Sequence, residues 1–449
     1  MNLYTLMERR AKQSGPIRVG VIGAGKFASM FLTQAASTPQ IHVVGVADLN
    51  VPKARAALKR TGWADDRVSA ANLADALASG ATCVLESSEE LITRPEIEVI
   101  LEITGNPLAG THHALTAIDN AKHVVMVNVE ADCMVGPILA ERARAAGVVY
   151  AMAYGDQPAL ICELVDWCRT VGFDVVAAGK GTKYLPEYNW STPDTVWDHY
   201  GFTAEQLAGG DFNPQMFNSF LDGTKSAIEM AAVANGTGLL PQDEGLQFPP
   251  AAVDDLPHIL REQNVGGVLS RRGTVEICSS MYRDGTEVPN NLRWGVYVTF
   301  EARTDYAVQC FAEYGVHTDE TGRYASLYRP YHMIGLELNV SIANAVLRGE
   351  ATGSPIGFHA DVVTTAKKDL VPGDVLDGEG GYTAFGKLAP AARSLALGAL
   401  PLGLSLYAKV VRPVAKGSTV TWDDVQVDES MLAYRVRKEL EASVSNTTH

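Results

Sequence analysis

The sequence predicts an α/β protein with an N-terminal Rossmann domain (a doubly wound parallel sheet), a middle α+β domain, and a small β-rich C-terminal domain. Three observations carry this. Over the first third, β-branched runs alternate with Ala- and Leu-rich helical stretches, the pattern of a parallel sheet with crossover helices. From Ala151 that alternation stops, and isolated strand-like runs are separated by long helical or loop segments. After Gly353, short Val-rich runs are punctuated by turn signals. With 449 residues, against roughly 150 for one average domain, the reading is three domains: 1–150, 151–350 and 351–449.

Taken in order, Ile17 to Ile22 is a strand that runs into Gly23-Ala24-Gly25-Lys26-Phe27-Ala28. Ile41 to Ala47 ends at Asp48, Val99 to Ile103 runs into Thr104-Gly105-Asn106-Pro107, and His123 to Val127 ends at Asn128. Helices are expected between them at Val51 to Lys59, Leu108 to Asn120 and Pro137 to Ala146. In the middle domain, Val171 to Ala178 and Val296 to Phe300 read as strands, Leu240 to Pro257 as a Pro-rich stretch, and Tyr331 to Leu347 as a closing helix. In the last domain, Pro372-Gly373-Asp374, Asp377 to Gly381 and Lys416-Gly417-Ser418 mark turns, and Ser443 to His449 reads as a frayed polar tail.

Composition narrows the function classes. Lys plus Arg is 37 and Asp plus Glu is 52, a net charge of −15. Most of such a surface repels nucleic acid and anionic membranes, so no nucleic-acid or membrane partner is expected. Met1 to Gly15 lacks the apolar core of a signal peptide, and no apolar run reaches the roughly 18 residues that cross a bilayer. Cys83, Cys133, Cys162, Cys168, Cys278 and Cys310 form no CxxC pair, which fits reduced thiols in the cytoplasm.

The glycine turn points to a dinucleotide. Gly23 allows a tight turn, Gly25 lets backbone approach a pyrophosphate, and Ala28 lets the helix pack on the strand while its N-terminus supplies amide donors. Asp48 at the end of the next strand accepts from a ribose 2′-OH and repels a 2′-phosphate, which argues for NAD. Lys53, Arg55, Lys59 and Arg60 follow closely and could neutralise the phosphate of NADP. Thr104, Gly105, Asn106 and Pro107, with Asn128, lie at strand carboxyl ends and are assigned to the cofactor, the first four to the nicotinamide ribose.

Hydride transfer to a carbonyl builds charge on oxygen and calls for a cation or proton donor there. Lys180 and Lys183 are three apart and converge only if Gly179 and Gly181 turn the chain. Asp222, Lys225 and Glu229 have the spacing of one helix face, where the carboxylates would orient Lys225 or bind a divalent cation, Mg or Mn. Arg329 and His332, at the start of the closing helix, could grip a phosphate and shuttle a proton.

With these residues in view, the chain resembles homoserine-dehydrogenase-like oxidoreductases with a C-terminal SAF domain. Ile17 to Ala28, Thr104 to Pro107 and His123 to Glu130 carry the likeness in the nucleotide domain; Ala366 to Gly373 and Val414 to Asp424 resemble SAF segments. Leu327-Tyr328-Arg329-Pro330-Tyr331-His332 is similar to the 1-deoxy-D-xylulose-5-phosphate reductoisomerase-like branch. The resemblance implies NADPH, a divalent cation, a homodimer, and conversion of 1-deoxy-D-xylulose 5-phosphate to 2-C-methyl-D-erythritol 4-phosphate for isoprenoid synthesis. Homoserine dehydrogenases follow their strand with Asn-Lys, whereas Val129 follows Asn128 here, leaving Lys180 or Lys183 as substitutes. Homoserine or sugar-acid dehydrogenation is the alternative chemistry, and a non-catalytic dinucleotide sensor the alternative of another class. With this net charge a dimer needs an interface low in carboxylates, for which Tyr331 to Leu347 is the candidate.

Overall fold

The computed structural model describes residues 2–208 and 213–447. The chain forms two compact units, residues 1–160 with 332–356, and residues 161–331 with 357–449. Among the described residues no helix is long and apolar enough to cross a membrane.

The first unit is built on six parallel strands: β1 (Ile17–Ile22), β2 (Ile41–Ala47), β3 (Cys83–Leu85), β4 (Val99–Glu102), β5 (His123–Met126) and β6 (Tyr150–Met152). Their order, β3-β2-β1-β4-β5-β6, reverses direction between β1 and β4, and ligands bind at such a switch point, outside the strand carboxyl ends. The sequence reading found four of these strands. β3 and β6 have three residues each, too short for periodicity to register. The core joins Val19, Val21, Phe31, Leu32, Val99 and Leu101 to Leu338 and Ile342 from the far end of the unit.

Two helix boundaries differ from expectation. The helix expected from Pro137 begins at Val129, because Asn128 caps it by accepting the Ala131 N–H at 3.1 Å. Pro137 then sits inside the helix. The closing helix expected from Tyr331 runs instead over Asn339–Arg348. Gly335, with φ +79°, interrupts the helix that the apolar spacing predicts from Tyr331. A Cβ at Gly335 would lie 2.8 Å from the Phe27 carbonyl oxygen. The apolar face of the Asn339–Arg348 helix packs into the sheet core through Ile342 and Ala343.

The second unit holds a mixed sheet of β7 (Asp174–Thr182), β8 (Thr274–Ser279), β9 (Val296–Glu301) and β10 (Tyr324–Arg329), in the order β10-β9-β7-β8. β7 and β8 are parallel, and β9 runs antiparallel to both β7 and β10. Two small antiparallel sheets follow, β11 (Ala360–Ala366) with β12 (Ala384–Pro390) and β13 (Lys409–Val410) with β14 (Val425–Gln426). The expected frayed tail is, through Thr447, part of the helix Leu432–Thr447. Ala433, Val436 and Leu440 bury its inner face, and Arg437 is fully buried against both carboxylate oxygens of Asp361.

Candidate active site

The glycine turn has the form its sequence demands. Gly23 takes φ +99°, and a Cβ there would lie 3.0 Å from the backbone of Ile103 at the end of β4, so only glycine serves. Gly25 is the N-cap of the Lys26–Ala35 helix; no side chain caps that helix, and a Cβ at Gly25 would meet nothing within 4 Å. Open space over uncapped helix amides fits a dinucleotide pyrophosphate, whose charge those N–H groups attract. Lys26 is exposed, Phe27 half-buried and Ala28 fully buried, where the helix meets the core.

Asp48 binds both the turn and its own loop. Its Oδ2 accepts the Ala24 N–H at 2.8 Å and its Oδ1 the Asn50 N–H at 2.8 Å. The carboxylate is thereby aimed along the glycine turn, where a ribose would be read.

Thr104-Gly105-Asn106-Pro107 starts a helix. The Asn106 side chain accepts the Leu108 and Ala109 N–H groups at 3.0 Å, and Pro107 takes the first helical position, where a missing N–H costs nothing. Buried Asn128 ties this turn to the next strand by donating to the Asn106 carbonyl at 2.8 Å. The residues that the sequence assigns to a cofactor, at the ends of β1, β2, β4 and β5, are thus gathered at one sheet edge. Glu102, buried within β4, accepts from Thr104 Oγ1 at 2.5 Å and lies 3.1 Å from His113 Nδ1. Sequence reading passed over that pair, although a Glu inside an apolar strand was the signal for it.

Of the two lysines after Ala178, Lys183 lies in the loop just past β7, and Lys180 does not. Lys180 is inside β7, and Gly179 and Gly181 make no turn there. A Cβ at Gly179 would fall 1.7 Å from the Glu276 carbonyl oxygen, and one at Gly181 2.0 Å from that of Leu292. These glycines therefore permit close approach of backbone. Lys180 and Lys183 do not converge: Lys183 donates to the His199 carbonyl at 2.6 Å, and burial, helped by nearby Arg293, lowers its pKa.

Lys180 pairs instead with Glu229 of the Thr224–Thr237 helix, both side chains being buried. In register, Lys180 is opposite Val296 and Val296 is opposite Arg329. Direct cross-strand neighbours point to the same face, so Lys180, Val296 and Arg329 form one row on the face that meets that helix. The row behind it, Gly179–Tyr297–Tyr328, faces the opposite core of Leu256 and Leu260.

The expected ladder of Asp222, Lys225 and Glu229 is not formed as drawn. Asp222 precedes the helix, fully buried, 2.7 Å from Lys367 Nζ. Burial raises its pKa, and Lys367 opposes that rise. Lys225 is half-buried in the first turn. Spacing gave the helix face but not the partners, and Lys367 had no sequence signal. With Asp222 and Glu229 each held by a lysine, they do not fit a divalent cation. Among the described residues no three His, Cys, Asp or Glu side chains cluster as metal ligands.

Arg329 and His332 are not at a helix start. Arg329 is the last residue of β10, its guanidinium 5.7 Å from the centre of the Tyr331 ring. His332 is half-buried in the segment before Asn339, so no helix dipole serves either residue.

Residues 17–127 match the oxidoreductase family, NAD-binding Rossmann fold, and residues 155–338 match the catalytic domain of oxidoreductase DRL. No curated protein matches in sequence. Among solved structures, YvaA of Bacillus subtilis is 15% identical over 75% of this chain and 89% of its own, with a TM-score of 0.37. The 1-deoxy-D-xylulose 5-phosphate reductoisomerase of Zymomonas mobilis, solved with NADPH, is 16% identical over 49% of this chain and 57% of its own, with a TM-score of 0.32. A 3-ketoreductase of Actinomadura kijaniata, solved with TDP-benzene and NADP, is 18% identical over 38% and 48%, with a TM-score of 0.26.

Proposed function

We propose that this chain, an NAD(P)-dependent oxidoreductase, acts on a small phosphorylated ketose, 1-deoxy-D-xylulose 5-phosphate: its C3–C4 bond breaks and a C2–C4 bond forms, leaving C3 as the aldehyde of a branched sugar phosphate, and hydride reduction of that aldehyde gives 2-C-methyl-D-erythritol 4-phosphate. A bound reduced nicotinamide supplies the hydride. Lys180, held as an ammonium by Glu229, hydrogen-bonds the carbonyl oxygen and stabilises its developing charge. Arg329, in the same row, takes the phosphate through its planar fork. NADP is the proposed cofactor, with Lys53, Arg55, Lys59 and Arg60 offsetting the repulsion from Asp48.

The observation that carries this reading is the Lys180–Val296–Arg329 row. It fixes two cations on one face about two strand spacings, or roughly 10 Å, apart. Such a pair suits a substrate with an anionic group at one end and a carbonyl at the other. Following cofactor oxidation with 1-deoxy-D-xylulose 5-phosphate and NADPH, with and without magnesium or manganese, tests it. Turnover that yields the branched tetrol phosphate supports the reading. Absence of turnover removes this substrate, and tight dinucleotide binding with no turnover on any carbonyl would leave the sensor instead.

A further inference from the structure

The Thr224–Thr237 helix, which brings Glu229 to Lys180, is tied at both ends to the C-terminal segment. At its start the N-cap is Gly223, with φ +86° and no side chain to cap with. Asp222 Oδ1 accepts the Thr224 N–H at 2.9 Å in its place, and Asp222 Oδ2 accepts from Lys367 Nζ at 2.7 Å. The other two hydrogens of that ammonium go to the carbonyls of Ser191 at 2.8 Å and Gly381 at 2.9 Å. Thr224 Oγ1 accepts the Gly386 N–H of β12 at 2.8 Å. Towards the other end, Asn235 Oδ1 accepts the N–H groups of His359 at 2.7 Å and Ala360 at 3.0 Å, and its Nδ2 donates to the Ala360 carbonyl at 3.2 Å.

The two spans match. From Ala360 to Lys367 the strand rises about 23 Å, and from Asp222 to Asn235 the helix rises about 20 Å. β11 thus lies along the helix and is fastened near each end, with Lys225 and Glu229 between the fastenings. An ion pair between buried groups tolerates little axial slip, because neither partner can turn to water instead.

We propose that the 357–449 segment sets the axial position of the Thr224–Thr237 helix, with Lys367 as a positioning residue that seats the Glu229 carboxylate on Lys180. The inference rests on the reading of Lys180 as the group that meets the carbonyl oxygen. Lys367 itself touches no reacting atom.

Two variants test it: Lys367→Met, and the double variant Asp222→Asn/Lys367→Met, which leaves no lone buried charge and keeps an acceptor for the Thr224 N–H. In the double variant, amide hydrogen exchange in residues 225–233 is expected to rise about tenfold while that of β1–β6 stays as in wild type. The kcat is expected to fall about 10- to 100-fold, with dinucleotide Kd within about twofold. The KM for the ketose is expected to stay within about twofold, since a displaced Glu229 weakens charge stabilisation at the carbonyl oxygen and not substrate binding. Unaltered exchange overturns the proposal, and so does faster exchange with an unchanged kcat or with a loss carried by KM alone. If wild type turns over no carbonyl, the proposed function fails by itself, and the exchange measurement still decides whether Lys367 holds the helix.

Discussion

Lys180 and Arg329 flank Val296 in a single cross-strand row, although they lie on strands at opposite ends of the second unit's first segment. Register alone brings them to one face, and Glu229 fixes what that face meets. Exchanging Lys180 for Met should lower kcat by at least 100-fold, the usual worth of a positioned acid, and leave dinucleotide affinity unchanged. The melting temperature should fall as well, because removing one member of a buried ion pair costs about 3–5 kcal/mol. The double variant Lys180→Met/Glu229→Gln should recover most of the melting temperature and none of the turnover. Steady-state kinetics and thermal melts on the four proteins of this cycle separate the two roles.

If Arg329 grips a phosphate, its loss should depend on the substrate. Arg329→Met is expected to lower kcat/KM for 1-deoxy-D-xylulose 5-phosphate about 10- to 100-fold, the worth of a charge-assisted hydrogen bond. For the unphosphorylated sugar the same variant should change little. Arg329→Lys should recover only part of the loss, since a point charge lacks the two-pronged fit. Equal losses on both sugars would count against the phosphate assignment.

The residues that sequence reading brought forward were placed well where local geometry dictates structure and poorly where partners come from afar. The turn from Gly23 to Ala28 needs only a strand, a tight turn and a helix start, all contiguous, and it was legible. Asn106 and Asn128 as caps follow from the same local chemistry. Gly179 and Gly181 suggested a turn because glycine at a strand end most often means one. Their cause here is the backbone of Glu276 and Leu292 pressing close, a fact of tertiary packing. Asp222 and Glu229 were read as holding Lys225, but the ion pairs they make are with Lys367, just past β11, and Lys180, within β7. No spacing rule reaches that far. The helix start at Tyr331 failed because its apolar period continues through a segment that the positive φ of Gly335 interrupts.

Asp48 offers a test of cofactor choice. Its two oxygens hold the Ala24 and Asn50 amides, so removing the charge also loosens the turn. Asp48→Asn should weaken NAD binding about tenfold, by loss of a charge-assisted acceptor. NADP binding should weaken less, because the repulsion of the 2′-phosphate disappears with the carboxylate. Titrating both dinucleotides against wild type and variant gives the ratio. A ratio unmoved by the substitution would place the ribose away from Asp48.

Buried Asp132 gives the first unit a pH dependence of defined sign. It accepts from the Tyr150 hydroxyl at 2.8 Å, its other oxygen has no hydrogen-bond partner among the described residues, and burial raises its pKa to about 7. Unfolded, the same carboxyl titrates near 3.9. Between these values the folded protein holds a proton that the unfolded chain has released, so stability falls as pH rises through that window and levels off above about pH 7. Asp132→Asn, neutral at every pH, should therefore be more stable than wild type at pH 8, by at most about 4 kcal/mol for a shift of three units. At pH 4, where the folded carboxyl is protonated, the two proteins should melt together. Melting curves across pH 4–8 check this, and a wild type no less stable than the variant at pH 8 would mean that the Asp132 carboxylate finds a partner when it ionises.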